Sequence, residues 1–193
     1  MAITTTYDGI EYRSRLEARW AAFMKNIGWD IVYEPFDGDG YIPDVLVQGP
    51  SPMLVEVKPA VTLAEYEAAV PKAERGLAAH WSHDILIVGA SPVLSGRFGN
   101  SWGSTAGWLG EFGQWGDADT WPDGPEGWCW EAADWIRCTN CGSHSIFHTV
   151  MTFSGRPCGC YNGDHYLGNA ATSLLESFWA DACNDVKWRG RAA

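Results

Sequence analysis

The sequence is poor in positive charge. Thirteen Lys and Arg stand against 24 Asp and Glu, for a net charge of -11. That excludes a broad electrostatic grip on nucleic acid, which rests on Lys and Arg releasing counterions from phosphates. It does not exclude a DNA enzyme whose acidic site carries a divalent ion, because the ion supplies positive charge locally. Long apolar runs are also lacking: no stretch reaches the roughly 18 residues needed to cross a bilayer. The N-terminal stretch Met1–Asp8 has neither the basic nor the apolar region of a secretory signal, so a cytoplasmic location is expected. In a reducing compartment the six cysteines favour metal ligation over disulfides.

Tryptophan and glycine are abundant, with 12 and 22 copies in 193 residues. That length suits one domain, or one domain with a sizeable insertion. The most informative stretch runs from Pro43 to Lys58, where two short β-like runs flank Gly49-Pro50-Ser51-Pro52 and predict an antiparallel hairpin. Side chains alternate along a strand, so Leu54, Glu56 and Lys58 share one face and Met53, Val55 and Val57 the other. Folding about a four-residue turn sets Asp44 opposite Val57, between Glu56 and Lys58. Two carboxylates and an amine then meet at one end of an apolar hairpin. Burying such groups unpaired is costly, so either a function needs them or they form a salt bridge at a sheet edge.

Around this hairpin the pattern alternates between helix and strand. From Ser14, residues Leu16, Trp20, Phe23, Met24 and Ile27 fall on one helical face, and Gly28 ends it. Ser14 and Glu17 have capping-box spacing; the rival reading turns Glu17 toward the charged end of the hairpin as an extra ligand. Trp29 to Tyr33 reads as a strand, and Asp37-Gly38-Asp39-Gly40 as a tight turn. Leu63 to about His80 is helical, with Pro71 predicting a kink or a break. Residues 84–88 form a buried strand, which the right-handed crossover rule sets parallel to 53–58.

From Ser91 to Asp134 no period persists, and an irregular insertion or a lid is expected. Trp102, Trp108, Trp115, Trp121, Trp128 and Trp130 are either stacking platforms for bases or rings that pin loops to the core. Cys138 and Cys141 form a C-x2-C pair, and Cys158 and Cys160 a C-x-C pair. Together they predict a four-sulfur structural zinc site, with His144, His148 or His165 as possible substitutes for one sulfur. Four such ligands leave no open position, which disfavours catalysis there. Ser145 to Phe153 predicts a short hairpin, Cys129 and Cys183 read as ordinary buried thiols, and Ala170 to about Lys187 forms an amphipathic helix. A zinc-ribbon DNA-binding module is disfavoured, because Arg137 and Arg156 are nearly the only basic residues near the cysteines.

Tyr12-Arg13-Ser14-Arg15-Leu16-Glu17-Ala18-Arg19-Trp20, Tyr33-Glu34-Pro35, Pro43-Asp44 and Glu56-Val57-Lys58-Pro59 together resemble the PD-(D/E)XK nuclease superfamily, in particular its small bacteriophage-encoded members. The resemblance spans roughly the first 90 residues and the last helix. It implies an α/β fold, a mixed central β-sheet flanked by helices with a restriction-endonuclease-like core. Residues 1–90 would form that core, 91–135 an irregular Gly/Trp-rich insertion, 136–168 a zinc-binding segment, and 169–193 a helix packing back on the core. Neither insertion is explained by the family pattern.

The resemblance further implies that Asp44, Glu56 and the Val57 carbonyl bind Mg2+ or Mn2+, with Glu17 as accessory ligand. Lys58 would position or activate the attacking water. The expected activity is hydrolysis of DNA phosphodiesters in the cytoplasm of a phage's bacterial host, with a homodimer or protein partner helping to hold an acidic enzyme on DNA. The alternative is a catalytically inactive nuclease-fold interaction protein, a viral accessory or nucleic-acid-mimicking factor.

Overall fold

The computed structural model of the protein describes residues 3–49, 52–94, 104–112, 128–148, 153–154, 158, 160 and 167–187. Pro50 and Ser51 of the expected turn, Trp102, Trp115, Trp121, Arg156 and His165 lie outside the described residues, as do the side chains of Cys129 and His148.

Fourteen elements follow one another: β1 (Thr5–Tyr7), β2 (Ile10–Tyr12), α1 (Arg15–Asn26), β3 (Ile31–Tyr33), β4 (Val45–Val47), β5 (Met53–Val57), α2 (Leu63–Leu77), β6 (Asp84–Val88), β7 (Thr105–Phe112), β8 (Trp128–Cys138), β9 (His144–His148), β10 (Phe153–Ser154), β11 (Leu167–Asn169) and α3 (Thr172–Asp185). β1 and β2 form a separate hairpin. The other nine strands build one mixed sheet in the order β10-β9-β8-β7-β6-β5-β4-β3, with β11 continuing the line of β7 along β8. Only β5 and β6 run parallel, joined by α2 as the crossover rule requires.

Local chemistry fixes α1. The Ser14 hydroxyl caps the helix by accepting the Glu17 N–H at 3.1 Å, and it donates to Glu17 Oε1 at 2.8 Å. The Glu17 carboxylate thus holds the cap side chain and not the backbone N–H that a capping box would engage. At the other end Gly28 takes φ +86°, and the N–H groups of Trp29 and Gly28 satisfy the carbonyls of Met24 and Lys25. Trp20, Phe23 and Met24 of α1 meet Leu175 and Ala182 of α3 over a sheet face of Met53, Val55, Val57, Leu86, Val88 and Trp135. Opposite, α2 lays Tyr66 and Leu77 on Leu54, Ile85 and Ile87. Because both faces are covered, β5 and β6 read as nearly continuous apolar runs. The indoles of Trp20, Trp29 and Trp135 are buried with their N–H groups bound to the carbonyls of Gly89, His144 and Pro92. Truncating Trp20 to Ala would cost about 3–5 kcal/mol.

Two expectations are corrected. Of the kink or break expected at Pro71, the break does not occur: α2 runs from Leu63 to Leu77 as one helix with Pro71 inside it. Pro71 denies a hydrogen bond only to the carbonyl of Glu67, an exposed residue where water can replace it. The 91–135 stretch is not wholly irregular either: β7 and β8 carry the sheet onward from β6 in antiparallel pairing. Their glycines are places of close approach. A Cβ on Gly107 would lie 2.1 Å from the Ile87 carbonyl oxygen, and one on Gly110 would lie 2.8 Å from the Trp130 ring. Trp108 and Trp130 pack against the core under α2, while the Trp128 and Trp130 N–H groups bind the His83 carbonyl and the Glu74 carboxylate. The described tryptophans of this region therefore act as pins. The expected C-terminal helix is α3, and it does pack on α1. Among the described residues no helix is long and apolar enough to cross a membrane.

Candidate active and metal sites

The acidic site depends on the register of β4 against β5. Val45 lies opposite Val55 and Leu46 opposite Leu54, so the connection spans five residues, 48–52, instead of four. The odd loop length moves the pairing by one residue, and Asp44 falls opposite Glu56 instead of the expected Val57. A one-residue shift changes the face of a side chain, and here it brings Asp44 onto the face of Glu56 and Lys58. The Val57 N–H donates to Asp44 Oδ2 at 2.8 Å. Lys58 Nζ sits 2.8 Å from Glu56 Oε2 and 3.6 Å from Asp44 Oδ2.

Other segments complete the cluster. Arg13, just before α1, reaches Asp44 Oδ1 at 2.8 Å and Glu34 Oε1 at 2.7 Å, and lies 4.0 Å from Glu17 Oε2. Glu34 adopts φ +46°, a left-handed conformation unfavourable for a side-chain-bearing residue, while its N–H binds the Asp44 carbonyl. The Tyr33 hydroxyl donates to Glu17 Oε2 at 2.7 Å and accepts the Arg13 N–H at 3.0 Å. Arg13, Glu34 and Tyr33 had no assigned role in the sequence reading. The usable signals were the i,i+4 spacing of Arg13 and Glu17 and the Tyr33-Glu34-Pro35 motif.

Charge is out of balance here. Counted as ionised, Glu17, Glu34, Asp44 and Glu56 contribute four negative charges against two positive ones from Arg13 and Lys58, an excess of two. Asp44 and Glu56 are 6% and 2% exposed, so water screens the excess poorly. The Asp44 carboxyl is accordingly pushed up to about 7, first by burial and then by Glu56, against the pull of Lys58 and the Val57 N–H. Burial works to lower the Lys58 pKa, but Glu56 and Asp44 outweigh it and the net shift is upward. Tyr41 is raised by burial and then by Glu56, which keeps it a neutral phenol beside the carboxylates. Glu56 Oε1 is buried and makes no hydrogen bond of normal geometry, the Tyr41 hydroxyl being near enough to Glu56 to interact with it but not to satisfy that oxygen well. A divalent cation fits this arrangement: it would cancel the excess of two and give the orphaned oxygen a partner. Asp44 and Glu56 are the residues placed to hold it. Glu17 stands apart, with one oxygen on Ser14 and the other on Tyr33, and Val57 meets Asp44 through its N–H.

The cysteine site has the opposite character. Cys138 ends β8, Cys141 lies in the turn to β9, and the Gly142 N–H binds the Cys138 carbonyl with Gly142 at φ +80°. Cys158 and Cys160 come from the segment between β10 and β11. One sulfur from each of the four lies within 4.8 Å of the others. Sulfurs bound tetrahedrally to zinc at about 2.3 Å stand about 3.8 Å apart, so modest closure completes the site. Hydrogen bonds from Ser143 push Cys141 down to about 6, while burial, as the largest cause, pushes Cys158 up to about 11. Asn140 favours the Cys160 thiolate, yet the neighbouring Cys141 sulfur and burial raise it overall. Crowded thiols resist sharing negative charge, and a soft dication removes that resistance. The cluster can thus hold a zinc-type ion. His144 is not in it: its ring is buried edge-on against Phe178 and its carbonyl holds Trp29. Cys183 is a half-buried free thiol. The hairpin expected over 145–153 is present as β9 and β10.

Comparison of the chain with protein-family models, curated proteins and solved structures finds no match.

Proposed function

We propose that the protein is a divalent-metal-dependent nuclease that hydrolyses phosphodiester bonds of DNA, a phage-type member of the PD-(D/E)XK superfamily. The observation that carries this reading is the excess of two negative charges of Glu17, Glu34, Asp44 and Glu56 over Arg13 and Lys58, with Asp44 and Glu56 buried at its centre and Lys58 held between them. The order of elements supports it: helix α1, strands β3, β4 and β5, crossover helix α2, then β6 parallel to β5, the arrangement expected of a restriction-endonuclease-like core. Mg2+ or Mn2+ suits the hard oxygens of Asp44 and Glu56, and when bound would polarise the phosphoryl oxygen and acidify water. Lys58, fixed by Glu56, presents its ammonium to the attacking water and to charge developing on the phosphate. Arg13 holds Asp44 Oδ1 and so orients the carboxylate, and Tyr33 and Ser14 do the same for Glu17. Glu17 is then a positioning residue at the edge of the site.

Single substitution of Asp44, Glu56 or Lys58 by Ala, assayed with Mg2+ or Mn2+ on single-stranded, double-stranded and branched DNA, tests the assignment. Loss of cleavage in all three variants is expected; wild type and variants behaving alike would refute it. One observation favours the rival reading of an inactive nuclease-fold interaction protein: Arg13 and Lys58 pair with Asp44 and Glu56, setting two cations against these two carboxylates. Calorimetry with Mn2+ separates the two, because the rival predicts no binding that depends on Asp44 and Glu56.

A further inference from the structure

Beside the acidic site lies a cavity of about 380 Å³ whose chemistry runs against the rest of the chain. Its walls are the 38–41 turn and the C-terminal half of α2, and it is lined by Lys72, Arg75 and His80, with Asp39 as the only carboxylate. In a protein of net charge -11 this is a local surplus of positive charge. Asp39 engages His80 at 3.2 Å, whereas Lys72 lies 5.9 Å over the Tyr41 ring, and no ion pair involves Lys72 or Arg75 among the described residues.

The cavity is built by close packing. Asp39 and Gly40 take φ +54° and +92°, the signs of a type I′ turn, and Gly38 and Tyr41 exchange backbone hydrogen bonds. A Cβ on Gly76 would lie 2.3 Å from Tyr41 Cγ, so the helix gives up a side chain where the ring seats. Glycine inside a helix costs about 1 kcal/mol relative to Ala, a disadvantage that the seating of Tyr41 explains. The base of that ring rests on Gly76, and its hydroxyl feels Glu56 and Asp44. One tyrosine ring therefore separates the basic cavity from the carboxylates.

We propose that this cavity is a second phosphate subsite, holding a phosphodiester next to the scissile one on the same nucleic-acid strand. Lys72 and Arg75 bind the phosphate, His80 adds a third donor, and Tyr41 sets the spacing to Asp44 and Glu56. The placement of the strand rests on the nuclease reading above; the cavity's affinity for phosphodiesters does not.

The test is fluorescence anisotropy of a labelled single-stranded DNA oligonucleotide with the full chain, without added divalent ion, across a salt series. The Lys72→Ala/Arg75→Ala variant should bind about tenfold more weakly, and its slope of log affinity against log salt should fall by about 0.7, the value for one phosphate of a single strand. Lys25→Ala, which removes a half-buried cation paired with Asp8 elsewhere, should leave the slope unchanged. Affinity and slope equal to wild type in the double variant would overturn the subsite, even if Asp44→Ala abolished cleavage and upheld the nuclease reading. Conversely, lost slope in a protein that never cleaves DNA would keep the subsite and remove the hydrolytic reading. Inorganic phosphate competing as well as the oligonucleotide at equal phosphate concentration would overturn assignment to a strand. Should the double variant fold poorly, amine labelling of the wild-type chain decides: DNA should shield Lys72 and not Lys25, and equal labelling would overturn the proposal.

Discussion

The acidic end of the β4–β5 hairpin and the four-cysteine cluster are both candidate metal sites, and they are built in opposite ways. The first is hard and buried, and it is drawn from residues 13, 17, 34, 44, 56 and 58, which meet only through the sheet and α1. The second is soft and more open, and its ligands come from two short sequence pairs at the end of β8 and before β11. In the acidic site the protein already supplies two cations, Arg13 and Lys58, and four carboxylates leave an excess of two negative charges. In the cysteine site sulfur supplies everything, so the expected role of the ion is to hold the fold. The contrast separates chemistry from scaffolding, and four perturbations test it.

The largest effect should come from stripping zinc. Elemental analysis should find one zinc per chain, and its removal, or Cys141→Ser, should destabilise the protein by about 5 kcal/mol, well under the 10–16 kcal/mol of isolated zinc-finger peptides because the sheet also holds this region. For a chain of this size that is a fall of roughly 10–20 °C in Tm by calorimetry. Zinc loss with an unchanged Tm would erase the scaffolding half of the comparison.

Next in size, Asp44→Ala and Glu56→Ala should each lower cleavage by on the order of 10²–10³-fold, the loss typical of removing one preorganised electrostatic group. The melting temperature of the zinc-loaded protein should change far less than on zinc removal. Variants that unfold instead of losing activity would make the acidic site structural too.

The pH dependence gives a smaller, signed effect. Folding raises the Asp44 pKa from about 3.8 to about 7. Below pH 4 the carboxyl is protonated both folded and unfolded, and it contributes nothing. Between pH 4 and 7 the unfolded chain gives up a proton that the folded chain keeps, so Asp44 costs stability as pH rises. Relative to wild type, Asp44→Asn should therefore gain stability progressively across that window, most of it by pH 7.5. Denaturant titrations at pH 4.5 and 7.5 without divalent ions measure it; a constant difference would mean that the excess charge is not felt.

These two regions were not equally legible in the sequence. Cysteine spacing exposes ligand pairs directly, since two thiols a few residues apart can reach one ion whatever the surrounding fold. The boundaries of α1 were equally plain, because Ser14, Glu17 and Gly28 act on their own turn. The acidic site was visible only as the right residue types: its register depends on a five-residue connection, and one residue more or less moves Asp44 to another face. Arg13 and Glu34 carried no label because their partners are 31 and 21 residues away in the chain or strained into place. The strands β7 and β8 were hidden for another reason. Close contact on both faces replaces alternation with buried glycine, alanine and tryptophan, erasing the two-residue period that marks a half-exposed strand.

The smallest effect separates the roles of Glu17. Glu17→Ala should cost about 1 kcal/mol through the lost side-chain hydrogen bonds to Ser14 and Tyr33, and should reduce cleavage less than tenfold. Glu17→Gln keeps the cap geometry and should recover most of the stability. A loss of activity as large as that of Asp44→Ala would make Glu17 a direct ligand.

The buried carboxylates of the hairpin, at the centre of a cluster with two excess negative charges, are expected to hold a divalent cation. A crystal soaked in MnCl2 and measured at the manganese absorption edge addresses it directly. The expected result is one anomalous peak between Asp44 and Glu56, with Glu56 Oε1 as a ligand and Lys58 drawn away from Asp44. No peak at that position, with Lys58 still bridging the two carboxylates, would contradict it.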